Sequence, residues 1–387
     1  NHNINDPVVD YYEARAKGGL GMIITGAAEG GTQFSGFGPI HTPWNDPARL
    51  IRQYSKLINR VHAHGCKMFN QISFDFGRQM VPGTYPGTPI APSVQRNRVD
   101  PNLMHREITY DEIQRMIEDV GNEAKVFKDL GYDGLDLVCY GSYLLDQFLT
   151  KAWNTRTDKY GGETVEERAT IVKEMIQSIR STCGAGFPLS VKITTKHHMK
   201  GNDQGGLKEE EYEEYGRDVS EGIELAKVIA GSGADAIYLA NGSYDAMYWQ
   251  YPPVYQDQGL WLDDFKGVRE AVKEVADIPV IGGGRILEPD FAEKVLEDGI
   301  VDAVVIGRAM IADPEWTNKA KRGEPEAIRP CIGCNKGCIN AYFLGTAMTC
   351  AVNPDACYER TEKYQPAKES KHVVVIGGGI AGTQCAI

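Results

Sequence analysis

Several features that would place a chain in other protein classes are missing from these 387 residues. No apolar run approaches the roughly 20 residues that a membrane-spanning helix needs. Acidic residues outnumber basic ones by 53 to 41, and the net charge of −12 argues against a nucleic-acid surface. No secretory signal peptide is visible, although the chain starts at Asn1 rather than at Met. We therefore expect a cytoplasmic protein with no membrane or nucleic-acid partner, and leave open whether it forms a homo-oligomer.

The regular cysteine pairing of a secreted disulfide scaffold is also missing, since nine cysteines are an odd number without a pairing pattern. Instead, four cysteines lie close together in the segment CIGCNKGCINAYFLGTAMTC, with the spacing C-x2-C-x3-C-x11-C. They are Cys331, Cys334, Cys338 and Cys350. Thiolates favour soft metals and clusters, and this spacing fits a [4Fe–4S] cubane better than the paired knuckles of structural zinc. Zinc stays an alternative, as does Cys357 in place of Cys350.

Apolar segments of strand length alternate with segments of helical periodicity through residue 320. The predicted strands are 21–25, 67–72, 134–138, 189–194, 236–240, 279–281 and 303–306. The predicted helices are 7–17, 47–64, 110–130, 165–182, 221–232, 264–276 and 290–298. Continuous apolar strands of this kind are typical of a parallel sheet covered by helices. Length and regularity favour an α/β fold of the TIM (β/α)8 barrel type over an open doubly wound sheet, with the first strand missing from this chain.

Near its end the chain carries VVVIGGGIAG, the order of strand, glycine turn and helix that places a pyrophosphate on a helix N-terminus. The glycines concerned are Gly377, Gly379 and Gly382. This predicts the start of a Rossmann-type domain that is cut short and cannot bind a dinucleotide as it stands. The expected domains are a barrel over 1–327, a cysteine segment over 328–358 and the truncated domain over 359–387.

Glycine and arginine recur at the ends of the last two predicted barrel strands, in GGGR and IGR. The residues are Gly283, Gly284, Arg285, Gly307 and Arg308. Glycine lets backbone N–H groups approach a phosphate, and arginine can pair with its oxygens bidentately. The pattern therefore predicts a phosphate site, although tight turns alone would also explain the glycines.

Several longer segments carry a resemblance to a known family. They include YYEARAKGGLGMIITGA, QISFDFGR, YLLDQFLTKAWNTRTDKYGG, SYDAMYWQYPPVYQ and RPCIGCNKGCINAYFLGTAMTCAVNP. Through them the chain resembles the multidomain iron–sulfur branch of the old yellow enzyme family, which contains 2,4-dienoyl-CoA reductase and 2-enoate reductase. The resemblance implies an FMN-binding barrel, a [4Fe–4S] cluster on the four cysteines, and FAD and NAD(P)H on the C-terminal region. It also implies reduction, or in reverse desaturation, of the activated C=C bond of an enone, 2-enoate or enoyl-CoA.

Position by position, the resemblance assigns roles around the flavin. Gln71 would hydrogen-bond the pyrimidine ring, and Ala27 would lie beside the ring. Lys192 would stand at the N1–C2=O edge, where a cation stabilises the charge that develops on reduced flavin. Gly283, Gly284, Arg285, Gly307 and Arg308 would hold the phosphate.

The sequence departs from the family in the fourth barrel strand, where many members carry a histidine pair that grips the substrate carbonyl. The aligned positions are Val138 and Gly141, whose side chains cannot donate a hydrogen bond. Tyr143 is the expected proton donor to the α-carbon, since a phenol can donate once negative charge has built up on carbon. The candidates for activating the carbonyl are Tyr140, Tyr244, Tyr248, His197 and His198.

Two other functions stay open. A trimethylamine-dehydrogenase-type enzyme shares the barrel, cluster and dinucleotide-fold layout. A non-catalytic fragment or electron-transfer scaffold would also fit the truncated ends.

Overall fold

The computed structural model describes residues 4–26, 28–29, 47–82, 87–359 and 367–386. Its centre is a parallel sheet whose seven principal strands pair in the order in which they follow along the chain. We number them β1 Met22–Ile24, β2 Lys67–Ser73, β3 Gly134–Cys139, β4 Leu189–Thr194, β5 Ala236–Ala240, β6 Val280–Gly282 and β7 Ala303–Val304. Consecutive parallel strands joined through helices curl into the wall of a (β/α)8 barrel. Because all carboxyl ends of such strands lie on one side, the loops that follow them meet there.

All seven predicted strands are present, with shifts of one or two residues at some ends. β3 is buried along its whole length, which explains why its sequence GLDLVC does not alternate between apolar and polar residues as a half-exposed strand would. In the part of the chain that the structure describes, no ladder joins β7 to β1, so the sheet is open at that point. A short extra strand, Ala28–Glu29, also pairs with β2.

Helices cover the sheet between the strands. They are Asp6–Lys17, Pro47–His62, Tyr110–Asp129, Leu144–Phe148, Val165–Arg168, Thr170–Cys183, Val219–Gly231, Met247–Gln250, Leu262–Phe265, Val268–Lys273, Pro289–Glu297, Arg308–Ala312, Trp316–Arg322, Ile339–Phe343 and Ile380–Ala386. The helix predicted over 264–276 is wrong as one element, because Gly267 takes a left-handed φ of 80° and divides it. The helix predicted over 165–182 likewise consists of two pieces.

Two long helices pack against each other outside the sheet. Gly121 lies where Tyr110–Asp129 crosses Thr170–Cys183, and a Cβ added there would come 3.0 Å from the Ser178 carbonyl oxygen. Tyr110–Asp129 begins with a capping box, in which the Thr109 and Glu112 side chains each accept from the other's backbone N–H. Gly121 therefore allows the two helices to pack closely and is not part of a turn.

The remaining segments add short strands and the C-terminal piece. The short strands are Ile90–Ala91, Gln95–Arg96, Met104–Glu107, Met199–Gly201 and Gln204–Gly205. The strand predicted at VVVI is not formed within the described residues, and Val373, Val374 and Ile376 are exposed there. A strand needs a hydrogen-bonding neighbour, and the described residues supply none at this point. Among the described helices, none has both the length and the apolar character to cross a membrane.

Candidate active site

A buried polar group joins β2, β3 and β4 at the centre of the sheet. Gln71 Nε2 donates to Asp136 Oδ2 at 2.7 Å, and the Ser190 hydroxyl donates to the other carboxylate oxygen. Burial raises the pKa of Asp136 to about 6, although the Ser190 and Gln71 hydrogen bonds and the charge of Lys192 oppose this. Asp136 therefore fixes the side-chain amide of Gln71 in one orientation.

Lys192 projects from β4 into aromatic surroundings. Its Nζ lies 4.2 Å from the centre of the Tyr140 ring and 4.5 Å from that of Tyr238. Burial lowers the pKa of Lys192 to about 8, while the attraction of Asp136 works in the opposite direction. At neutral pH the side chain is still mainly protonated. Lys192 is therefore a poorly solvated cation that lies between two aromatic rings.

The predicted phosphate site lies at the ends of β6 and β7. Gly283 approaches the backbone of Val305 so closely that a Cβ would come 2.7 Å from its carbonyl oxygen, and the Gly284 carbonyl accepts from Gly259 N at 2.7 Å. Arg285 donates to the Gln256 carbonyl, but its Nε is buried without a partner in the described chain. Gly307 faces open space. A buried unpaired donor at the end of β6 and an open backbone at the end of β7 fit an anion such as the FMN phosphate.

Arg308 points toward the cysteine segment. Its Nη1 donates to the Pro252 carbonyl at 2.7 Å and also to Asn335 Oδ1. Burial lowers the pKa of Arg308, although the negative charge of neighbouring cysteines, most strongly that of Cys331, opposes this shift. The residue therefore ties the end of β7 to the cysteine segment.

Two tyrosines on different loops meet at the carboxyl ends of β3 and β5. The hydroxyl oxygens of Tyr143 and Tyr244 are 2.8 Å apart, within hydrogen-bond distance. Burial raises the pKa of both phenols well above the usual value. A parallel backbone bridge between Gly141 and Ser243 holds the two loops together. The Tyr140 ring faces Lys192 instead. Tyr248 also lies outside this pair, and its ring centre is 5.8 Å from that of Tyr255.

The two predicted histidines lie in separate buried networks. His197 is fully buried, its Nε2 lies 3.0 Å from Asp146 Oδ2, and its Nδ1 accepts from the Arg217 backbone N–H at 2.7 Å. His198 stacks on Trp249 with 3.7 Å between ring centres, and its Nε2 lies 3.0 Å from Asp264 Oδ2. Both imidazoles thus have their partners within the protein, and neither of these networks includes Tyr143 or Tyr244.

The four predicted cluster cysteines line one small cavity together with Arg308. Cys357 is not among its lining residues and lies instead near Arg15 and Glu359. Within the described residues, no three His, Cys, Asp or Glu side chains are grouped closely enough to hold one metal ion. The donor set of four thiols facing one cavity nevertheless suits an iron–sulfur cluster.

The other predicted cofactor residues are only partly described. Ala27 lies outside the described residues. Gly377 and Gly379 precede helix Ile380–Ala386, and a Cβ at Gly382 would come 1.9 Å from the Gly377 carbonyl oxygen. The turn and helix of the dinucleotide pattern are therefore tightly packed, whereas its strand is not formed.

Sequence reasoning missed three charged residues near the tyrosines. Arg78 Nη1 donates to both carboxylate oxygens of Asp245, at 2.6 and 2.8 Å, and both side chains are buried. The Arg98 guanidinium lies 5.8 Å from the centre of the Tyr244 ring, and its Nε is buried without a partner in the described chain. A signal for Arg78 and Asp245 was present, because both lie in loops that follow barrel strands, in SFDFGR and NGSYD.

Comparison with known proteins gives consistent matches over the whole chain. The pattern of the NADH:flavin oxidoreductase / NADH oxidase family matches residues 1–327. A cinnamate reductase of Clostridium sporogenes is 36% identical over 387 residues, which cover 99% of this chain and 57% of that protein. An NADH oxidase of Thermoanaerobacter brockii is 35% identical over 398 residues, which cover 100% of this chain and 56% of that protein.

A solved structure of 2-naphthoyl-CoA reductase in complex with 2-naphthoyl-CoA also matches. Its TM-score is 0.86 at 27% sequence identity, and the match covers 100% of this chain and 57% of that one. Amine dehydrogenases occur among the relatives as well. The chain thus spans a little over half the length of these proteins.

Proposed function

Because the chain belongs to the NADH:flavin oxidoreductase / NADH oxidase family, a family of flavin oxidoreductases, we propose that it is the FMN- and cluster-binding part of an NAD(P)H-dependent ene-reductase. Its substrate would be an enone, a 2-enoate or an enoyl thioester with an activated C=C bond. The observation that carries the proposal is the Tyr143–Tyr244 hydroxyl pair, 2.8 Å apart at the barrel end. Relatives named cinnamate reductase and 2-naphthoyl-CoA reductase support it.

The proposed residues for FMN are those at the ends of β2, β4, β6 and β7. Gln71, held by Asp136, would orient the flavin ring, and the Lys192 cation would stabilise negative charge beside it. Arg285 Nε and the backbone at Gly307 would take the phosphate. These residues would hold FMN, and a flavin bound there would supply the hydride for the β-carbon of the substrate.

Tyr143 would give its hydroxyl proton to the α-carbon, where the electron pair of the C=C bond accumulates. The resulting phenolate would accept a hydrogen bond from the Tyr244 hydroxyl. The Arg98 guanidinium over the Tyr244 ring would favour that negative charge. Burial keeps the pKa of Tyr143 high, so the proton would leave late, when charge on carbon is large. Solvent would restore the Tyr143 proton afterwards.

The four thiols around Arg308 would hold the [4Fe–4S] cluster, which carries single electrons. FAD and NAD(P)H would bind the dinucleotide region that begins at the GGGIAG turn. In this arrangement the cysteine segment lies between the source of electrons and the barrel.

Substitution of Tyr143 by Phe tests the proton donor. We expect Tyr143→Phe to slow reoxidation of the reduced holoenzyme by an enoate by roughly 10²- to 10⁴-fold, the usual contribution of a positioned acid. Reduction of the flavin by NAD(P)H should keep its rate, because it precedes proton transfer. Tyr255→Phe serves as the control, since Tyr255 is 72% exposed and lies outside the hydroxyl pair. Unchanged reoxidation in Tyr143→Phe would remove this residue from the mechanism.

An amine dehydrogenase is the second candidate, because such enzymes are among the relatives. The trimethylamine type holds its flavin covalently, so acid precipitation of the holoenzyme separates the two functions. Free FMN in the supernatant supports the reductase, and flavin that stays on the precipitated protein supports the amine dehydrogenase. A scaffold without catalysis would be indicated if no enoate reoxidised the flavin after dithionite reduction.

A further inference from the structure

The short helix between the third and fourth cluster cysteines, Ile339–Phe343, ends beside the tyrosine pair. The Phe343 ring centre lies 6.1 Å from that of Tyr244 and 5.9 Å from that of Tyr251, with both pairs edge to face at 84°. Tyr342 packs against Phe343 in turn, at 5.3 Å. A segment whose cysteines point toward the cluster cavity therefore also reaches the proposed chemistry.

The Phe343 and Tyr342 rings are unusually exposed to solvent for apolar groups near a buried site. Phe343 is 43% exposed and Tyr342 is 57% exposed, whereas Tyr244 beneath them is only 7% exposed. Adjacent exposed aromatic side chains mark a surface that contacts a ligand or partner more often than an ordinary solvent face. Here the exposed rings border Tyr244, whose hydroxyl pairs with that of the proposed acid Tyr143, and this favours the substrate as the group they contact.

Hydrogen bonds hold this helix in place relative to the barrel. Asn335 Nδ2 donates to the Tyr251 carbonyl at 2.9 Å, and Asn335 Oδ1 accepts from Arg308. Thr349 N donates to the Gly337 carbonyl at 2.7 Å and closes the loop behind the helix. The position of Phe343 thus depends on the same loop that carries the thiols.

We propose that Phe343 and Tyr251 form a wall of the substrate site that selects for a planar aromatic group on the unsaturated acid. This inference rests on the proposed function and specifies its substrate class. The Phe343 and Tyr251 rings can make the same edge-to-face contact with an aromatic substrate that they make with each other. An alkyl chain has no ring and would gain less binding energy from this wall. Phe343 is thereby a specificity-determining residue supplied by the cysteine segment rather than by the barrel.

The test measures binding of saturated acids, so that it does not depend on turnover. The oxidised holoenzyme is titrated with 3-phenylpropanoate and with hexanoate, and binding is read from the flavin absorbance difference. We expect Phe343→Leu to raise the dissociation constant of 3-phenylpropanoate by roughly threefold to tenfold, the equivalent of one lost ring contact. The dissociation constant of hexanoate should stay within about twofold of the wild-type value. Phe343→Tyr, which keeps the ring, should restore the wild-type preference.

Leu344→Ala is the matched control, because Leu344 is 65% exposed at the end of the same helix. The electron paramagnetic resonance spectrum of the reduced cluster checks that the variants retain the loop. Equal weakening of both acids, no weakening of either, or a wild type that binds no aryl acid would overturn the inference. A wild type that binds aryl acids selectively through Phe343 but reduces no C=C bond would overturn the proposed function alone.

Discussion

Val138 and Gly141 are the positions at which the sequence predicts that the histidine pair of the family is missing, and neither side chain can donate a hydrogen bond. Val138 is buried in β3 and pairs in register with Lys192. Gly141 has a φ of 71°, and a Cβ there would come 2.8 Å from Gln250 Nε2. A histidine at Gly141 would therefore take a strained backbone conformation and would have to displace the Gln250 side chain, and the nearby hydroxyl pair of Tyr143 and Tyr244 is the proposed source of a proton.

Lys192 supports a prediction about pH. A cation beside the flavin stabilises its reduced, anionic form, so Lys192→Met should shift the flavin midpoint potential to more negative values. Since burial lowers the pKa of Lys192 to about 8, this difference should be largest near neutral pH. It should shrink as the pH rises through 8 and the wild-type lysine loses its proton.

Potentiometric titration of the wild type and the variant between pH 6 and pH 9 measures this difference. Lys200→Met is the control, because Lys200 forms a surface ion pair with Glu210 at 2.8 Å. A difference that stayed constant across the whole pH range would show that the Lys192 charge does not act on the flavin.

His197 belongs to a buried network whose contribution to the free energy of unfolding can be measured. Burial alone would raise the pKa of Asp146, but the charges of His197 and Arg217 outweigh it and hold this pKa at about 2. Asp146→Asn would leave Arg217 without its buried partner, and we expect a loss of about 3–5 kcal/mol in the free energy of unfolding. Because the pKa of Asp146 in the folded protein lies below the ordinary value of 3.8, this stabilisation exists above pH 3.8 and disappears as the pH falls toward 2.

Urea denaturation at pH 7 and at lower pH values measures the effect. The exposed ion pair of Asp129 with Lys125 provides the control, since Asp129→Asn should cost no more than about 1 kcal/mol. If His197→Gln abolished turnover while leaving stability unchanged, the histidine would have a direct catalytic role after all.

At the scale of elements, the sheet and its helices were largely predictable, and their exceptions have local causes. The seven strands follow from continuous apolar runs, which burial on both faces requires. The division of the helix predicted over 264–276 comes from the left-handed conformation of Gly267, and glycine within a helix pattern does not by itself reveal its φ. The close contact at Gly121 was equally invisible, because it depends on a second helix.

The crossing of helices Tyr110–Asp129 and Thr170–Cys183 allows a prediction about packing. Gly121→Leu would force side-chain atoms into the Ser178 backbone, and we expect a loss of about 1–3 kcal/mol in unfolding free energy. Asn122→Ala on the exposed side of the same helix should leave stability unchanged or slightly raise it, since alanine favours helix. Thermal unfolding of both variants decides the matter. Equal stability of Gly121→Leu and the wild type would mean that the helices can separate at no cost.

For the whole molecule, the cysteine segment joins the barrel by two kinds of contact. Arg308 and Asn335 link it to the loop after β5, and Phe343 packs on Tyr244 and Tyr251. The segment is thus in contact both with the proposed phosphate end of the flavin site and with Tyr244, the hydrogen-bond partner of the proposed acid Tyr143. The proposed electron source and the proposed substrate site would therefore lie on the same side of the sheet.

Removal of one thiol tests whether electrons from NAD(P)H reach the barrel through the cysteine segment. Cys334→Ser should lose iron and acid-labile sulfide and should stop enoate reduction with NAD(P)H, because electrons would no longer reach the barrel. With dithionite as the reductant, enoate reduction should continue. Cys357→Ser, outside the thiol cavity, should keep metal content and both activities. Retention of iron in Cys334→Ser would instead indicate a different ligand set.

The sequence by itself determined the parallel α/β fold, the gathering of four thiols and the family of flavin oxidoreductases. Each of these depends on patterns that are local or regularly spaced: apolar runs, short cysteine intervals, and glycines at strand ends. Only the tertiary structure decided that Tyr143 meets Tyr244, that Arg78 pairs with Asp245, and that Phe343 reaches the barrel. These contacts join residues roughly 100 or more positions apart, and their formation depends on how the loops at one end of the sheet pack together.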